Sequence, residues 1–152
     1  GAHIGPIATG TDGSGGPNLV CHRGGWRGQV REAAAREALW MNGPEIFNFT
    51  LKVVPEVVAR ALTQAGLGLS DIDLFVFHQA NRYMLDHLRK KLGVPQEKFV
   101  LAMAHCGITV SCTIPIALRE AEMGGKLRAG SRVLLVGFGV GYSWGATIIT
   151  WR

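Results

Sequence analysis

The residue with the clearest chemical potential is His78, which ends a short apolar run. Residues Leu74 to Phe77 are uniformly apolar, as expected of a strand buried on both faces, and Asn81 is predicted to open a helix. Open α/β sheets place functional side chains at the carboxyl ends of such strands. His78 is therefore a candidate catalytic residue, although a lone histidine is also commonly a structural residue whose hydrogen bonds are satisfied.

The three cysteines, Cys21, Cys106 and Cys112, offer thiol chemistry without a disulfide or metal pattern. Their odd number and the lack of CxxC spacing indicate reduced thiols. Cys112 is predicted in the first turn of a helix, where a thiolate is favoured and could serve as a nucleophile paired with His78. The alternative is that these cysteines are small buried core residues. No metal site is expected, because ligand spacing is lacking among the remaining candidates, His78, His87, His105 and Cys106.

Two segments of the chain are rich in glycine. Residues 11–17 lack the GxxxxGK[ST] pattern of a phosphate-binding loop and are predicted as a plain turn. Residues 137–141 read Gly-Phe-Gly-Val-Gly and lie between two predicted strands. Glycines there suit a tight hairpin turn with positive φ, and they equally allow the backbone to approach a substrate closely. Both uses of this turn remain open.

The elements that must position these residues alternate between strands and helices. Strands are predicted within residues 3–20 and over 74–77, 99–103, 133–136 and 146–151. The last two are close enough to pair as a hairpin. Helices are predicted over 45–66, 81–93 and 109–123, and Pro115 should kink or break the third. Residues 21–40 are predicted as loop with a weak helix. The order predicts an α/β layered fold with a mixed sheet of about five strands.

The bulk composition excludes several classes of protein. The chain has 152 residues, of which 47% are hydrophobic and 18% charged, a size and composition that suit one domain with a real core. Its formal net charge of +5 comes from scattered Arg and Lys without interleaved aromatic residues, so no nucleic-acid partner is expected. No run of about 18 apolar residues occurs, which predicts no membrane partner and a soluble, cytoplasmic protein.

The start of the chain and its apolar content together suggest a missing neighbour. The sequence begins Gly1-Ala2 without a Met and soon enters an apolar stretch. The large apolar fraction requires burial either in a core or against a second protein surface. We therefore expect residues 1–152 to form a single domain that was processed or excised from a longer protein.

Three motifs occur in the same order as in one known family. They are Phe77-His78-Gln79-Ala80-Asn81, then Gly107-Ile108-Thr109 ahead of Ile114-Pro115, then the run from Gly137 to Gly145. Together with residues 11–15 and 41–47, these motifs resemble the C-terminal half of ketoacyl synthase III, a thiolase-fold condensing enzyme. The resemblance covers nearly the whole chain. It implies a layered thiolase-like half and the absence of the N-terminal half that carries the nucleophilic cysteine.

The resemblance also implies an acyltransferase reaction, the decarboxylative Claisen condensation of fatty-acid or related acyl-chain biosynthesis. In that family the cysteine accepts an acyl group, usually from acyl-CoA, and a His and an Asn polarise the carbonyl of malonyl-carrier protein. His78 matches the family His, and its imidazole N–H would donate to the developing oxyanion. A backbone N–H near Val140 would hold the oxyanion of the acyl thioester. No cofactor is implied beyond these two substrates.

Position 108 departs from the family pattern. The family's Asn lies in a Gly-Asn-Thr triplet, whereas this chain has Ile108, whose side chain has no donor. Loss of one preorganised donor typically costs about 10² to 10³ in rate. Two functions therefore remain open: a condensing enzyme with a weakened oxyanion site, inactive without its other half, or a non-catalytic scaffold or binding half of a diverged paralogue.

The resemblance finally implies three protein partners: the N-terminal half of the same enzyme, an acyl carrier protein, and a second copy in a homodimer. The family often docks the acidic carrier with a basic residue at the position of Tyr83. Here the candidate docking residues are Arg82, Arg89 and Lys90. The alternative is a solvated helix end, because cations in a last turn favour the helix dipole without any partner.

Overall fold

The computed structural model of the chain describes residues 3–21 and 39–152. Its main sheet contains β1 (His3–Thr11), β4 (Leu74–Phe77), β5 (Arg132–Gly139) and β6 (Ser143–Thr150). The strands lie in the order β1-β6-β5-β4. The β4–β5 pair is parallel and the other two pairs are antiparallel, which confirms the mixed sheet and the β5–β6 hairpin. A separate antiparallel ribbon joins β2 (Leu19–Cys21) to β3 (Leu39–Met41).

Three α-helices pack on the main sheet, namely α1 (Gly43–Ala65), α2 (Arg82–Leu92) and α3 (Thr113–Met123). The side chain of Asn81 caps α2 by accepting from the N–H of Met84 at 2.8 Å. Gly66 and Gly93 end α1 and α2 with φ of 66° and 68°, a region that glycine enters without steric cost. The predicted start of α2 at Asn81 and the predicted stops at Gly66 and Gly93 are thus confirmed. None of the helices in the described ranges has the length and apolar character needed to cross a membrane.

The sheet has two differently covered faces because successive side chains of a strand point in opposite directions. Phe75 and Phe77 of β4 join the core that α1 and α2 cover, which we call the α1/α2 face. Leu74 and Val76 join the smaller core beneath α3, which we call the α3 face. The fold is the predicted α/β layered arrangement, with helices on both sides of the sheet.

Helix α1 continues through Pro55, which lacks the N–H that would bond the carbonyl of Leu51. The ammonium of Lys91 supplies the missing donor, with Nζ 2.8 Å from the Leu51 carbonyl oxygen. Lys91 comes from the last turn of α2, so this bond also ties α2 to α1. The basic run at the end of α2 therefore includes one residue with a structural partner.

The predicted strand over residues 99–103 is wrong beyond its first residue. Phe99 makes a single parallel bridge to Phe75, and the N–H of Val100 donates to the Phe75 carbonyl at 3.0 Å. Further along, the buried side chain of Gln79 takes the place of a strand partner. Its Oε1 accepts from the N–H of Ala102 at 2.8 Å, and its Nε2 donates to the carbonyl of Phe77 at 2.7 Å. The main sheet therefore has four strands where about five were predicted.

The third helix begins later than the sequence pattern predicts. A short 3₁₀ helix spans Val110–Cys112, and α3 follows from Thr113 without interruption. Pro115 is the third residue of α3 and does not break it, because first-turn N–H groups have no partner within the helix. Residues 22–38, which hold most of the predicted loop and weak helix, lie outside the described residues. The described residues of the predicted segment, 21, 39 and 40, belong to the β2–β3 ribbon and not to a loop.

The first glycine-rich segment is a structural turn, as predicted. It forms a 3₁₀ helix, Gly13–Asn18, whose first turn is capped by the Asp12 carboxylate accepting from the N–H of Ser14 at 3.0 Å. Gly15 is buried against the ring of Tyr142, and a Cβ at this position would collide with that ring. The segment also packs on the far end of the chain, since Asp12 and Tyr142 exchange backbone hydrogen bonds.

Candidate active site

His78 lies directly after the last residue of β4 and extends its pairing with β5. Its backbone N–H donates to the carbonyl of Val136 at 2.8 Å. The next residue, Gln79, is only 1% exposed and bonds the backbone of two neighbouring segments, so the chain on both sides of His78 is fixed. The strand end thus delivers the imidazole to a defined place, as expected for a functional side chain at this edge of an α/β sheet.

The imidazole of His78 is held from one side by the start of α3. Its Nδ1 lies 2.8 Å from Oγ1 of Thr113, a side chain that is 2% exposed. The same Thr113 hydroxyl lies 2.9 Å from the carbonyl oxygen of Val110, to which it can donate. Among the described residues, Nδ1 and not Nε2 is the ring nitrogen with a side-chain partner, so Nε2 is the nitrogen left for a substrate.

Two further features define the surroundings of the ring. Phe138 of β5 packs edge-on against it, with ring centroids 5.4 Å apart and planes at 80°. Burial lowers the pKa of His78 below its ordinary value, while the backbone carbonyl of Val110 acts in the opposite direction. Burial disfavours the imidazolium because the charged form loses hydration. The neutral imidazole is therefore the form that burial favours at pH 7.

The segment that precedes Thr113 and begins at Gly107 has a constrained backbone. Val110 adopts φ of 53°, a left-handed conformation that a β-branched residue rarely occupies and that costs about 1–3 kcal/mol. Gly107 is also left-handed, with φ of 65°, and its N–H donates to the carbonyl of Met103 at 2.9 Å. Strained residues of this kind cluster at binding and catalytic sites. The carbonyl of this strained residue lies 2.9 Å from the Thr113 hydroxyl.

Ile108 lies in this constrained segment with its side chain 61% exposed. Val110, two residues later, is 72% exposed, so the outer side of the segment is apolar. Neither side chain offers a hydrogen-bond donor. Position 108 therefore lies on the same segment that contacts His78, but the Ile108 side chain supplies no polar group there.

The second glycine-rich segment spans the last residues of β5 and the start of the turn to β6, and its glycines have different roles. Val140 is 56% exposed in this turn, and its carbonyl accepts from the Ser143 hydroxyl at 2.7 Å. Gly141 has φ of 141° and serves the turn itself. Gly137 and Gly139 have no positive φ, and a Cβ on either would meet no atom within 4 Å. The prediction of a turn that needs positive φ is therefore confirmed at Gly141, while Gly137 and Gly139 leave open space beside the strand end.

The cysteines do not occupy the positions expected of core residues. Cys106 and Cys112 are both exposed, so the expectation of burial is wrong. Cys112 directly precedes α3, where it is followed by the residue that bonds His78. Cys106 donates to the carbonyl of Ala102 at 3.3 Å. In the part of the chain that the structure describes, no three His, Cys, Asp or Glu side chains are grouped to hold a metal ion.

The three candidate docking residues differ in their surroundings. Arg82 is exposed and lies 3.9 Å from the carboxylate of Asp86. Lys90 is exposed at the other end of α2. Arg89 is partly buried, and its Nη1 donates to the carbonyl of Val94 at 3.0 Å, just beyond the helix. Arg82 and Lys90 thus remain accessible to a partner, whereas Arg89 is used to close the end of α2.

Three residues of the site were not identified from the sequence. Thr113 fixes the ring of His78, Phe138 packs against it, and Gln79 anchors the strand end. Gln79 adjoins His78 in the sequence, and a polar residue after a buried strand is a signal that could have been used. Thr113 and Phe138 come from distant segments, so only their tertiary placement reveals them.

Comparison with known proteins supports the reading of the motifs. Residues 62–151 match the family model described as 3-Oxoacyl-[acyl-carrier-protein (ACP)] synthase III C terminal. The chain is 39% identical over 138 residues to a chloroplastic beta-ketoacyl-[acyl-carrier-protein] synthase III B of Cuphea wrightii, covering 88% of this chain and 34% of the relative. It is 35% identical over 150 residues to the beta-ketoacyl-[acyl-carrier-protein] synthase III of Thermosynechococcus vestitus, covering 99% and 43%. The chain thus spans between a third and a half of these relatives.

Solved structures show the same fold. A crystal structure of a 3-oxoacyl-(acyl-carrier-protein) synthase III aligns with a TM-score of 0.90 and 45% identity over 97% of this chain and 48% of the other. The corresponding enzyme of Thermus thermophilus aligns with a TM-score of 0.90 and 37% identity over 100% of this chain and 47% of the other. The layered half is therefore thiolase-like, and the chain belongs to the family of 3-oxoacyl-[acyl-carrier-protein] synthase III C-terminal domains.

Proposed function

We propose that this chain supplies the C-terminal half of a 3-oxoacyl-acyl-carrier-protein synthase III acyltransferase of fatty-acid or related acyl-chain biosynthesis. The observation that carries the proposal is the placement of His78. Its Nδ1 is bonded to Thr113, it directly follows a buried strand, and its backbone N–H bonds the carbonyl of Val136, the residue before Gly137. A neutral imidazole so held can donate through Nε2 to an oxygen that becomes negative.

In the proposed reaction, a cysteine of the N-terminal half first takes an acyl group from acyl-CoA and releases free CoA. The bond between the carboxylate and the methylene carbon of malonyl-carrier protein then breaks, carbon dioxide leaves, and the electron pair moves onto the thioester oxygen. His78 donates to that oxygen and stabilises the enolate. The enolate carbon attacks the acyl-cysteine carbonyl, and the cysteine leaves as thiolate. The backbone N–H near Val140 is proposed to hold the oxyanion of the acyl thioester.

The proposal includes the partners that such an enzyme requires. The N-terminal half would supply the cysteine. It would also cover the exposed apolar residues near α3, which include Ile108, Val110 and Met123. The acyl carrier protein would dock at the accessible cations Arg82 and Lys90, with Arg89 contributing less because it is bonded to Val94. A homodimer and a cytoplasmic location are part of the same proposal. We expect no cofactor other than the two thioester substrates.

The proposal is tested with the full-length protein that contains the cysteine-bearing half. His78→Ala should abolish decarboxylation of malonyl-carrier protein and largely spare acylation of the cysteine, because the two half-reactions use different donors. His105→Ala, which changes an exposed histidine, is the matched control and should leave both rates unchanged. Equal loss of both half-reactions in His78→Ala would contradict the proposed role, and so would recovery of activity with added zinc.

A second candidate function is favoured by Ile108, which offers no donor where the family resemblance implies an Asn. The chain would then be a non-catalytic half that completes the fold of a partner. Ile108→Asn in the full-length protein distinguishes the two, with Ile108→Leu as the control. A rise in decarboxylation of about 10²-fold for Asn alone supports the enzyme. No turnover by the parent protein or by either variant, with folding intact, supports the scaffold.

A further inference from the structure

Thr113 has one hydroxyl proton and two acceptors within reach. Its Oγ1 is 2.8 Å from Nδ1 of His78 and 2.9 Å from the carbonyl oxygen of Val110. The side chain is 2% exposed, so water cannot readily substitute for either partner. The direction of this single proton therefore decides which nitrogen of a neutral His78 carries hydrogen.

The two arrangements have opposite consequences for the site. If the hydroxyl donates to Val110, Nδ1 must carry the ring hydrogen and donate to Thr113, and Nε2 then presents a lone pair. If the hydroxyl donates to Nδ1, the hydrogen lies on Nε2, which becomes a donor toward the open side. The Val110 carbonyl is already bonded by the backbone N–H of Thr113. It therefore does not need the hydroxyl proton, whereas Nδ1 has no other described donor.

We infer that Thr113 is a positioning residue that directs its hydroxyl proton to Nδ1 of His78 and holds the imidazole in the Nε2–H form. The Val110 carbonyl competes for this proton, because its oxygen lies 2.9 Å from the same hydroxyl. Without the Thr113 hydroxyl, the Val110 carbonyl would become the acceptor for an Nδ1–H group, and the ring would present a lone pair instead of a donor. The catalytic value of the Nε2–H form rests on the proposed function; the tautomer itself does not.

The tautomer is measured by ¹⁵N NMR of the histidine rings in the 152-residue chain at about pH 8, above the ordinary histidine pKa of about 6.5. The His78 signals are assigned by their loss in His78→Gln. The protonated and unprotonated ring nitrogens resonate far apart, so their populations are read directly. Thr113→Val removes the hydroxyl at nearly constant volume, and Thr113→Ser keeps it. Thr50→Val is the matched control, because Thr50 is equally buried and donates to the Ile46 carbonyl at 2.8 Å.

The wild type, Thr113→Ser and Thr50→Val are expected to hold His78 mainly in the Nε2–H form. Thr113→Val is expected to shift the ratio of forms at least about tenfold toward Nδ1–H, the factor that about 1.4 kcal/mol of lost preference would produce. A majority of Nδ1–H in the wild type would overturn the inference without any variant, so it stays testable even if Thr113→Val fails to fold. An unchanged ratio in folded Thr113→Val would overturn it as well.

Rates in the full-length protein separate this inference from the proposed function. If both hold, Thr113→Val should lose decarboxylation and retain cysteine acylation, and Thr113→Ser should restore decarboxylation. If the NMR result is as expected but His78→Ala leaves decarboxylation intact, the proposed function fails and the tautomer control by Thr113 stands. If His78→Ala abolishes decarboxylation while the NMR ratio does not respond to Thr113, the inference about Thr113 fails alone.

Discussion

The α1/α2 face and the α3 face of the sheet bury their residues to different degrees. On the α1/α2 face, α1 and α2 cover the larger core, in which Val54, Val57, Leu85 and Leu88 have no exposed surface at all. On the α3 face, Ala117 and Ala121 are buried, but the apolar residues around them, Ile114, Leu118 and Trp151, are only partly covered. The α1/α2 face therefore has the larger buried core, and the α3 face has the smaller one.

The face with the larger core is not the face that contains the candidate active site. By strand alternation His78 belongs to the α3 face, and its partner Thr113 is the first residue of α3. The exposed residues Ile108, Val110 and Val140 lie in the segments around it. Hydrophobic stabilisation scales with the apolar area removed from water, so the α1/α2 face contributes most of the stability. The α3 face is where the proposed substrate and the proposed second half would bind.

The largest expected effect comes from a pair of leucines, one on each face. Leu85→Ala should lower the free energy of unfolding by about 3 kcal/mol, because it leaves a cavity in a closed core. Leu118→Ala should cost about 1 kcal/mol, because that side chain is partly exposed and the site can relax. Urea unfolding of both variants measures the difference. Equal costs in the 152-residue chain would contradict the comparison, and a higher cost for Leu118→Ala in the full-length protein would sharpen it.

The next effect concerns the junction between the faces, at Gln79. Gln79→Leu keeps the volume but leaves the N–H of Ala102 and the carbonyl of Phe77 without the side-chain partners that they have now. We expect a loss of about 2 kcal/mol of stability from these unsatisfied groups. Gln64→Leu changes an exposed glutamine of α1 and should be nearly neutral. Similar unfolding midpoints for the two variants would show that Gln79 does not replace the missing strand partner.

A smaller effect is expected where α2 supports α1. Lys91→Met removes the donor to the Leu51 carbonyl that Pro55 leaves free, and it should cost about 1 kcal/mol. Lys90→Met, next to it and exposed, is the matched control and should change stability little. Thermal unfolding of the two variants is the measurement. If Lys90→Met costs as much as Lys91→Met, the effect is one of helix-end charge and not of this hydrogen bond.

The smallest effect is a pH dependence that arises on the α3 face. The folded-state pKa of His78 lies below its ordinary value because of burial. Below about pH 6.5 the unfolded chain therefore binds a proton that the folded chain does not, and stability falls as pH decreases toward the folded pKa. His78→Gln should reduce this slope in unfolding curves measured between about pH 5 and 8, whereas His105→Gln should keep it. A slope that survives in His78→Gln would assign the dependence to other groups.

The sequence alone determined the helices and most strands. The apolar period of α1, the Asn81 cap of α2, the stops at Gly66 and Gly93 and the uniformly apolar β4 are local signals, and each acts through residues a few positions apart. The motif around His78 was readable for the same reason, since a functional residue at a strand end is marked by its neighbours. Those signals sufficed for the α/β layered fold and for the family.

The tertiary structure decided what depends on contacts between distant segments. The expected strand over 99–103 ends after a single bridge, because the Gln79 side chain accepts the hydrogen bond from the N–H of Ala102. No local sequence pattern indicates this side-chain contact. Thr113 reaches His78 across 35 positions, and the segment before it includes a left-handed residue, Val110, that a β-branched side chain would not suggest. Cys106 and Cys112 are exposed although cysteine is usually buried, because burial is set by which segments pack on one another and not by residue type alone.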